Sequence, residues 1–130
     1  MKKVFIDTDV IINFTKGFGD NFRELFNLQT KKKIELFTNS VVISEFFTDN
    51  TLLVEKNLQL ALKLFESFRA LDITKPIGLL AGELMRTKTV LFIADPLIAA
   101  TCLHYNLALS TNNQKDFKKI KGLKFFVFDF

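Results

Sequence analysis

Three acidic residues, Asp7, Glu45 and Asp95, stand where the sequence pattern predicts buried neighbours. Asp7 directly follows an apolar run at residues 4–6, so its carboxylate is expected at the carboxyl edge of a sheet. The spacing puts Glu45 on or beside the buried face of one helix. It puts Asp95 on the inner face of another, at the capping position. No Lys or Arg lies within four helical positions of Glu45 or Asp95, so these carboxylates need another form of compensation.

A divalent cation is the simplest compensation for such a set of carboxylates. Asp and Glu oxygens without His or Cys are hard ligands that suit Mg²⁺ or Mn²⁺, and these ions keep water molecules and bind phosphate oxygens of a substrate. The ligand set therefore predicts cleavage of phosphate or phosphodiester bonds by metal-activated water. Each acid alone fits a structural role better, so the inference depends on all three together.

Short apolar runs alternate with helical patterns, which is typical of βαβ units around a parallel sheet. We predict strands at residues 3–7, 33–37, 71–74, 107–110 and 125–128. We predict helices around residues 22–29, 40–47, 58–68 and 77–86, and after Asp95. Residues 87–94 are extended and β-branched, which fits a sixth strand or a packed loop. The expected fold is α/β, with a central, mainly parallel five-stranded sheet in a single domain at residues 1–130.

The composition fits one soluble globular domain, with 130 residues, 48% hydrophobic and 25% charged. The single cysteine, Cys102, excludes an internal disulfide and favours the cytoplasm. The apolar run near the start ends after three residues, too short for a signal peptide, and no stretch is apolar enough to span a membrane. The 16 phenylalanines are expected in the core rather than stacked on bases.

Positive charge is concentrated near the C-terminus. The chain has 18 Lys and Arg against 14 Asp and Glu, and the segment 115–124 holds five lysines against one acid. A solvated lysine-rich face and a contact with an anionic partner both fit this cluster. For an RNA partner, the candidate backbone contacts are Lys115, Lys118, Lys119 and Lys121.

The helix expected around residues 58–68 has a second apolar stripe, formed by Leu60 and Leu64, beside the stripe that faces the sheet. Full burial of the helix and an apolar partner surface both fit this pattern. We predict a homodimer in which the second stripe is covered.

Four segments of the sequence, taken in order, resemble the PIN-domain family, and especially the VapC-type ribonuclease toxins. They are FIDTDVII at 5–12, SVVISE at 40–45, ADPLIAAT at 94–101 and LSTNNQKDF at 109–117. The resemblance extends from residue 4 to about residue 128. It implies a three-layer α/β/α fold, Mg²⁺-dependent endoribonuclease activity, a homodimer and inhibition by a cognate antitoxin.

Within this resemblance, Asp7, Glu45 and Asp95 fall on three acidic positions of the family. Asn113 matches a fourth position with an amide, and Asp116 is the nearby acid. Asp7 and Asp95 would then ligate the metal directly, while Glu45 and Asp116 would hold a metal or its water and Asn113 would orient them.

Three neighbouring polar residues complete the predicted site. Asn112 stands where relatives often have arginine, which removes a phosphate contact. Thr8 and Thr111 match positions where a hydroxyl orients water or a carboxylate, although local turn hydrogen bonds explain them equally well.

Two other functions fit parts of the sequence. The string Asp7-Thr8-Asp9-Val10 also resembles the first motif of haloacid-dehalogenase-like phosphatases, but only 19 residues follow Thr111 and they contain no adjacent acidic pair. The second alternative is a PIN-like scaffold that binds RNA or a protein without catalysis.

Overall fold

The computed structural model describes residues 1–87 and 93–128. Within these ranges the strands are β1 (Lys2–Ile6), β2 (Ile34–Asn39), β3 (Arg69–Leu71), β4 (Ala108–Ser110) and β5 (Lys124–Phe125). The helices are α1 (Thr8–Thr15), α2 (Asp20–Thr30), α3 (Ser40–Phe46), α4 (Glu55–Phe65), α5 (Lys75–Arg86), α6 (Ala94–Tyr105) and α7 (Gln114–Phe117). A 3₁₀ turn at Asn50–Leu53 precedes α4.

The five strands form one sheet in the order β3-β2-β1-β4-β5, and all four pairings are parallel. The central strand β1 ends in three fully buried residues, Val4, Phe5 and Ile6, as expected of a strand covered on both faces. The strand order reverses between β1 and β4, so the carboxyl ends of these strands flank the crevice where such sheets bind ligands. Right-handed crossovers place helices on both faces, so the predicted three-layer α/β/α fold is confirmed.

Phenylalanines fill the core beneath α2, α3 and α4. The ring of Phe22 packs edge-on against Phe68, and Phe46 lies 4.9 Å from Phe65 between ring centroids. Aromatic pairs at this spacing contribute beyond the area they bury. A smaller cluster joins Ile77 and Ala81 of α5 to α6. The expected core role of phenylalanine is confirmed for these residues.

Glycine is required where α1 turns into α2. Gly17 has φ +88°, a left-handed conformation that favours glycine. A Cβ atom at Gly19 would lie 2.5 Å from the Cα of Phe14. This tight connection packs α2 against α1. The strand β2 follows α2 and pairs with β1.

Several predicted elements are displaced or were missed. The strand predicted at 71–74 lies at Arg69–Leu71, and the one predicted at 125–128 lies at Lys124–Phe125, because pairing with β2 and β4 sets the register of these edge strands. The helix α1 was not predicted at all. The predicted extended segment at 87–94 lies largely outside the described residues.

Among the residues described, no helix is both long and apolar enough to cross a membrane.

Candidate active site

The end of β1 places Asp7 at the switch point of the sheet. The backbone N–H of Asp7 donates to the Ser110 carbonyl at 2.9 Å, which extends the β1–β4 pairing by one residue. Asp7 then caps α1, where its Oδ1 accepts from the Thr8 N–H at 2.7 Å. The side chain is only 7% exposed, and the positive end of the α1 dipole stabilises its negative charge.

Two threonine hydroxyls hold the carboxylates in place. The Thr8 hydroxyl donates to Oε1 of Glu45 at 2.8 Å, and the Thr111 hydroxyl donates to Oδ2 of Asp7 at 2.7 Å. Both contacts join residues distant in the sequence, so these hydroxyls orient carboxylates rather than only stabilising turns. Thr8 thereby touches two acids at once and links β1 to α3.

Glu45 was predicted to lie on or beside the buried face of its helix, and it lies beside that face. Its neighbours Val42 and Phe46 are buried, but Glu45 is exposed. Although Val41 and Val42 precede it by four and three residues, the Glu45 carboxylate accepts a hydrogen bond from Thr8 of α1. The partner that this carboxylate needed is therefore a hydroxyl group.

Asp95 is half-buried in the first turn of α6 but does not cap the helix, so the predicted capping role is wrong. The helix begins at Ala94, two residues before the predicted first residue Pro96, with Ile93 at the cap position. Pro96 is accommodated because the first N–H groups of a helix have no partner within it. The carboxylate of Asp95 therefore accepts no capping hydrogen bond from the backbone N–H groups of α6.

Asp9 was not among the predicted site residues. It is half-buried in α1, and its Oδ1 accepts from the Asn112 N–H at 3.3 Å. Two residues apart at the start of a helix, Asp7 and Asp9 repel each other. Asp9 therefore belongs to the same group of acids.

The two residues considered for the predicted fourth position, Asn113 and Asp116, are in direct contact. The Nδ2 of Asn113 donates to Oδ2 of Asp116 at 2.7 Å, and the Asn113 N–H donates to the Thr111 hydroxyl at 3.0 Å. Asp116 is exposed in α7, and its charge acts on Asp95. Asn113 thus connects Asp116 to the hydroxyl that holds Asp7.

We call the five acids the acidic cleft: Asp7, Asp9, Glu45, Asp95 and Asp116. Burial raises the pKa of Asp7 from 3.8 to about 7, with the charge of Asp9 as the second cause, while the hydrogen bonds from Thr111 and Thr8 oppose the rise. Burial also raises the pKa of Asp9 and of Asp95, and the charge of Asp116 adds to the effect on Asp95. The negative charges of Asp7, Asp9 and Asp95 are therefore disfavoured in the metal-free protein.

The chemistry of the acidic cleft suits a divalent cation. All its donors are carboxylate oxygens, and no lysine or arginine in residues 1–87 and 93–128 forms an ion pair with any of them. In the same ranges no three His, Cys, Asp or Glu side chains are already arranged to hold a metal ion. Their oxygens instead accept hydrogen bonds from Thr8, Thr111 and backbone amides.

The predicted RNA-contacting lysines are all exposed: Lys115, Lys118, Lys119 and Lys121. Lys115 lies beside Asp116 in α7, close to the acidic cleft. The run then leads to Lys124, whose partner in β4 is Ala108 at the amino end of the sheet. The lysines therefore form a path away from the acidic cleft rather than a ring around it.

A second notable surface lies beside α4. Of the residues in α4, Ala61 is buried and Leu60 is 60% exposed, so full burial of this helix is excluded. An apolar groove of about 770 Å³ lies between α1, α2, α3 and α4. Its apolar lining is Phe14, Phe26, Phe46, Leu52, Leu60, Ala61 and Leu64.

Comparisons with known proteins agree with this geometry. The chain is 27% identical to the tRNA(fMet)-specific endonuclease VapC of Salmonella typhimurium over 95% of this chain and 96% of that protein. It is similar to DNA-bound VapBC from the same organism, with 26% identity, a TM-score of 0.80 and coverage of 97% and 98% of the two chains. Promoter-bound VapBC2 from Rickettsia felis shares the fold, with 20% identity, a TM-score of 0.80 and coverage of 95% and 97%.

The match to a protein family covers residues 4–123. It includes every acid of the acidic cleft and ends at the residue before β5. The chain belongs to the PIN domain family.

Proposed function

We propose that this protein is an endoribonuclease that depends on Mg²⁺ or Mn²⁺ and acts as the toxin of a toxin–antitoxin pair in the cytoplasm. The observation that supports this most is the acidic cleft, in which four separate helices and a strand end contribute carboxylates without a paired cation among the described residues. The similarity to the Salmonella endonuclease supports RNA as the substrate class.

The residues of the acidic cleft would have different roles in binding the cation. Asp7 and Asp95 would hold the cation directly, and Glu45 and Asp116 would hold it or its water. When bound, the cation would supply Lewis acidity and a water of lowered pKa for attack on the phosphodiester. Thr8 and Thr111 keep Glu45 and Asp7 oriented before the cation arrives.

Asn113 and the lysines would position the substrate. Asn113 orients Asp116 through its amide. We propose that Lys115, Lys118, Lys119 and Lys121 contact the RNA backbone, because phosphate contacts by lysine give affinity without sequence preference.

For the protein partners, we propose a homodimer that covers Leu60 and Leu64, together with a cognate antitoxin. Leu53, Leu60 and Leu62, within and just before α4, expose large apolar side chains, which is typical of protein contacts. The antitoxin is supported by the solved relatives, which are named as VapBC complexes.

Cleavage of RNA by the purified chain tests the proposed function. The substrates are total tRNA, including initiator tRNA, and a long unstructured RNA, each with Mg²⁺, with Mn²⁺ or with EDTA. We expect cleavage that requires the cation and is lost in Asp7→Asn. Binding of RNA without cleavage, with Asp7→Asn indistinguishable from wild type, would favour the scaffold alternative.

A further inference from the structure

Two acids of the acidic cleft, Glu45 and Asp95, are carried by helices rather than by strand ends. Their separation therefore depends on how α3 and α6 pack against each other. Apolar contacts such as those of Val42 and Ile98 tolerate small shifts, because they have no direction. A directional contact between the two helices would define the separation more sharply.

One buried hydrogen bond provides such a contact. The Nδ2 of Asn39 donates to the Thr101 hydroxyl at 2.9 Å, and both residues are fully buried. The Thr101 hydroxyl in turn donates to the Leu97 carbonyl at 2.7 Å. The hydroxyl of Thr101 thus has its donor and acceptor both assigned, which leaves it one orientation.

The other end of this contact is equally constrained. Oδ1 of Asn39 accepts from the N–H groups of Val41 and Val42, each at 3.1 Å, and so caps α3. The amide group of Asn39 is therefore held by the start of α3 while it reaches across to α6. Asn39 ties the first turn of α3 to the middle of α6.

The two acids lie at equal distances along the chain from this tie. Glu45 follows Asn39 by six residues, and Asp95 precedes Thr101 by six residues, which is about 9 Å along a helix. A shift at the tie is therefore transmitted to both carboxylates through rigid helical segments.

We infer that Asn39 and Thr101 are positioning residues that set the separation of Glu45 and Asp95 for cation binding and RNA cleavage. This inference rests on the proposed function. Neither residue reaches the substrate or the cation, and both act through the helices that they join. Loss of a residue that orients metal ligands typically lowers metal affinity or activity by about ten-fold to a hundred-fold.

The variant Thr101→Val tests this inference because it has nearly the same shape, cuts the tie and leaves the cap on α3 intact. Thr101→Ser keeps the hydroxyl and should restore the function. Thr38→Val is the matched control, since Thr38 is also buried but its hydroxyl has no hydrogen-bond partner among the described residues.

The measurements are Mn²⁺ affinity by calorimetry without RNA, and kcat and KM for RNA cleavage with saturating cation. We expect Thr101→Val to weaken Mn²⁺ binding and lower kcat by about ten-fold each, with KM within about two-fold, as ground-state RNA contacts remain. Thr101→Ser and Thr38→Val should match wild type in all three quantities.

Asn39→Ser provides a second route if Thr101→Val fails to fold. Serine still caps α3 but is too short to reach Thr101, so it should reproduce the same losses. The inference is overturned if wild type binds Mn²⁺ and cleaves RNA while the folded variants do so equally, or if Thr101→Ser fails as badly as Thr101→Val. If wild type neither binds Mn²⁺ nor cleaves RNA, the proposed function fails, and the inference with it.

Discussion

The acidic cleft and the apolar groove are two regions with opposite chemistry and a common property. The acidic cleft brings carboxylates together without a lysine or arginine paired to them among the described residues, and burial, followed by the charge of Asp9, raises the pKa of Asp7 to about 7. The apolar groove exposes side chains such as Leu60, which is 60% exposed. Each region costs free energy in the isolated chain. A cation bound in the acidic cleft and a protein bound in the apolar groove would therefore stabilise the folded chain independently of each other.

The largest expected effect separates the two regions by activity. Asp7→Asn and Asp95→Asn should each lower RNA cleavage at least about a thousand-fold, because a cation contributes several kcal/mol to the transition state. Asp20→Asn is the matched control, since Asp20 is exposed at the start of α2. Single-turnover cleavage with Mg²⁺ measures the effect. Equal activity of Asp7→Asn and Asp20→Asn would show that the acidic cleft takes no part in cleavage.

The second expected effect is the pH dependence of stability without metal. The pKa of Asp7 in the folded protein, about 7, lies above its ordinary value of 3.8 because the carboxyl group is buried. The folded protein therefore binds the Asp7 proton more tightly than the unfolded chain does. The resulting contribution to the free energy of unfolding is fully present below about pH 4 and is lost as the pH rises through about 7. Its upper limit is about 4 kcal/mol.

Urea unfolding at pH 5 and pH 8 in EDTA measures this loss. Asp7→Asn should flatten the dependence and raise stability at pH 8, whereas Asp20→Asn should follow wild type. Mg²⁺ at about a hundred times its Kd should return about 2.7 kcal/mol to wild type at pH 8. A wild-type protein that is more stable at pH 8 than at pH 5 without metal would contradict the burial of a charged Asp7.

The third effect concerns the apolar groove alone. Leu60→Asp should weaken the homodimer about thirty-fold, which corresponds to about 2 kcal/mol for loss of a central interface contact. Leu79→Asp is the control, because Leu79 is 64% exposed on α5 and lies outside the groove lining. Sedimentation at several concentrations distinguishes them. A wild-type protein that is monomeric at micromolar concentration would contradict the proposed homodimer, and the proposed antitoxin would then be the remaining candidate partner of the groove.

The fourth effect sharpens the boundary of the acidic cleft. Asp9→Asn should weaken Mn²⁺ binding about ten-fold while the contacts of Thr8 and Thr111 persist. It should also lower the pKa of Asp7, since the charge of Asp9 is the second cause of its rise. Carbon-13 NMR titration of the Asp7 carboxyl measures this shift, and an unchanged pKa would place Asp9 outside the cleft.

The smallest effect concerns the lysines. Replacing Lys118, Lys119 and Lys121 by Gln should reduce the salt-dependence slope of RNA binding by roughly two to three, as expected for three lost phosphate contacts. Cleavage at saturating RNA should survive. The control replaces Lys31, Lys32 and Lys75, which are also exposed. Equal slopes in the two triple variants would mean that the lysine run is only a solvated face.

Much of the sheet was predictable because its central strand has an unambiguous pattern. The apolar run before Asp7 allows only a buried strand, and this alone places a carboxylate at the carboxyl edge. The edge strands β3 and β5 were displaced because their register is decided by partners distant in the sequence. Their exposed residues, such as Arg69 and Lys124, give no apolar alternation to read.

The helix α1 and the residue Asp9 were missed for the same reason. Residues 10–12 are β-branched, which favours a strand locally. The cap by Asp7 and the burial of Val10 and Ile11 override that preference. Once the segment is helical, Asp9 turns toward the acids of other elements, a relation that depends on the folded chain.

The hydrogen bond between Thr111 and Asp7 spans 104 residues. On a ribosome that adds about 5–20 residues per second, roughly 5–20 s pass between the synthesis of these two residues. The strand β1 must also wait for β4, its neighbour on that side. The acidic cleft is therefore incomplete in the nascent chain until residues of its last quarter, including Thr111 and Asp116, have been synthesised.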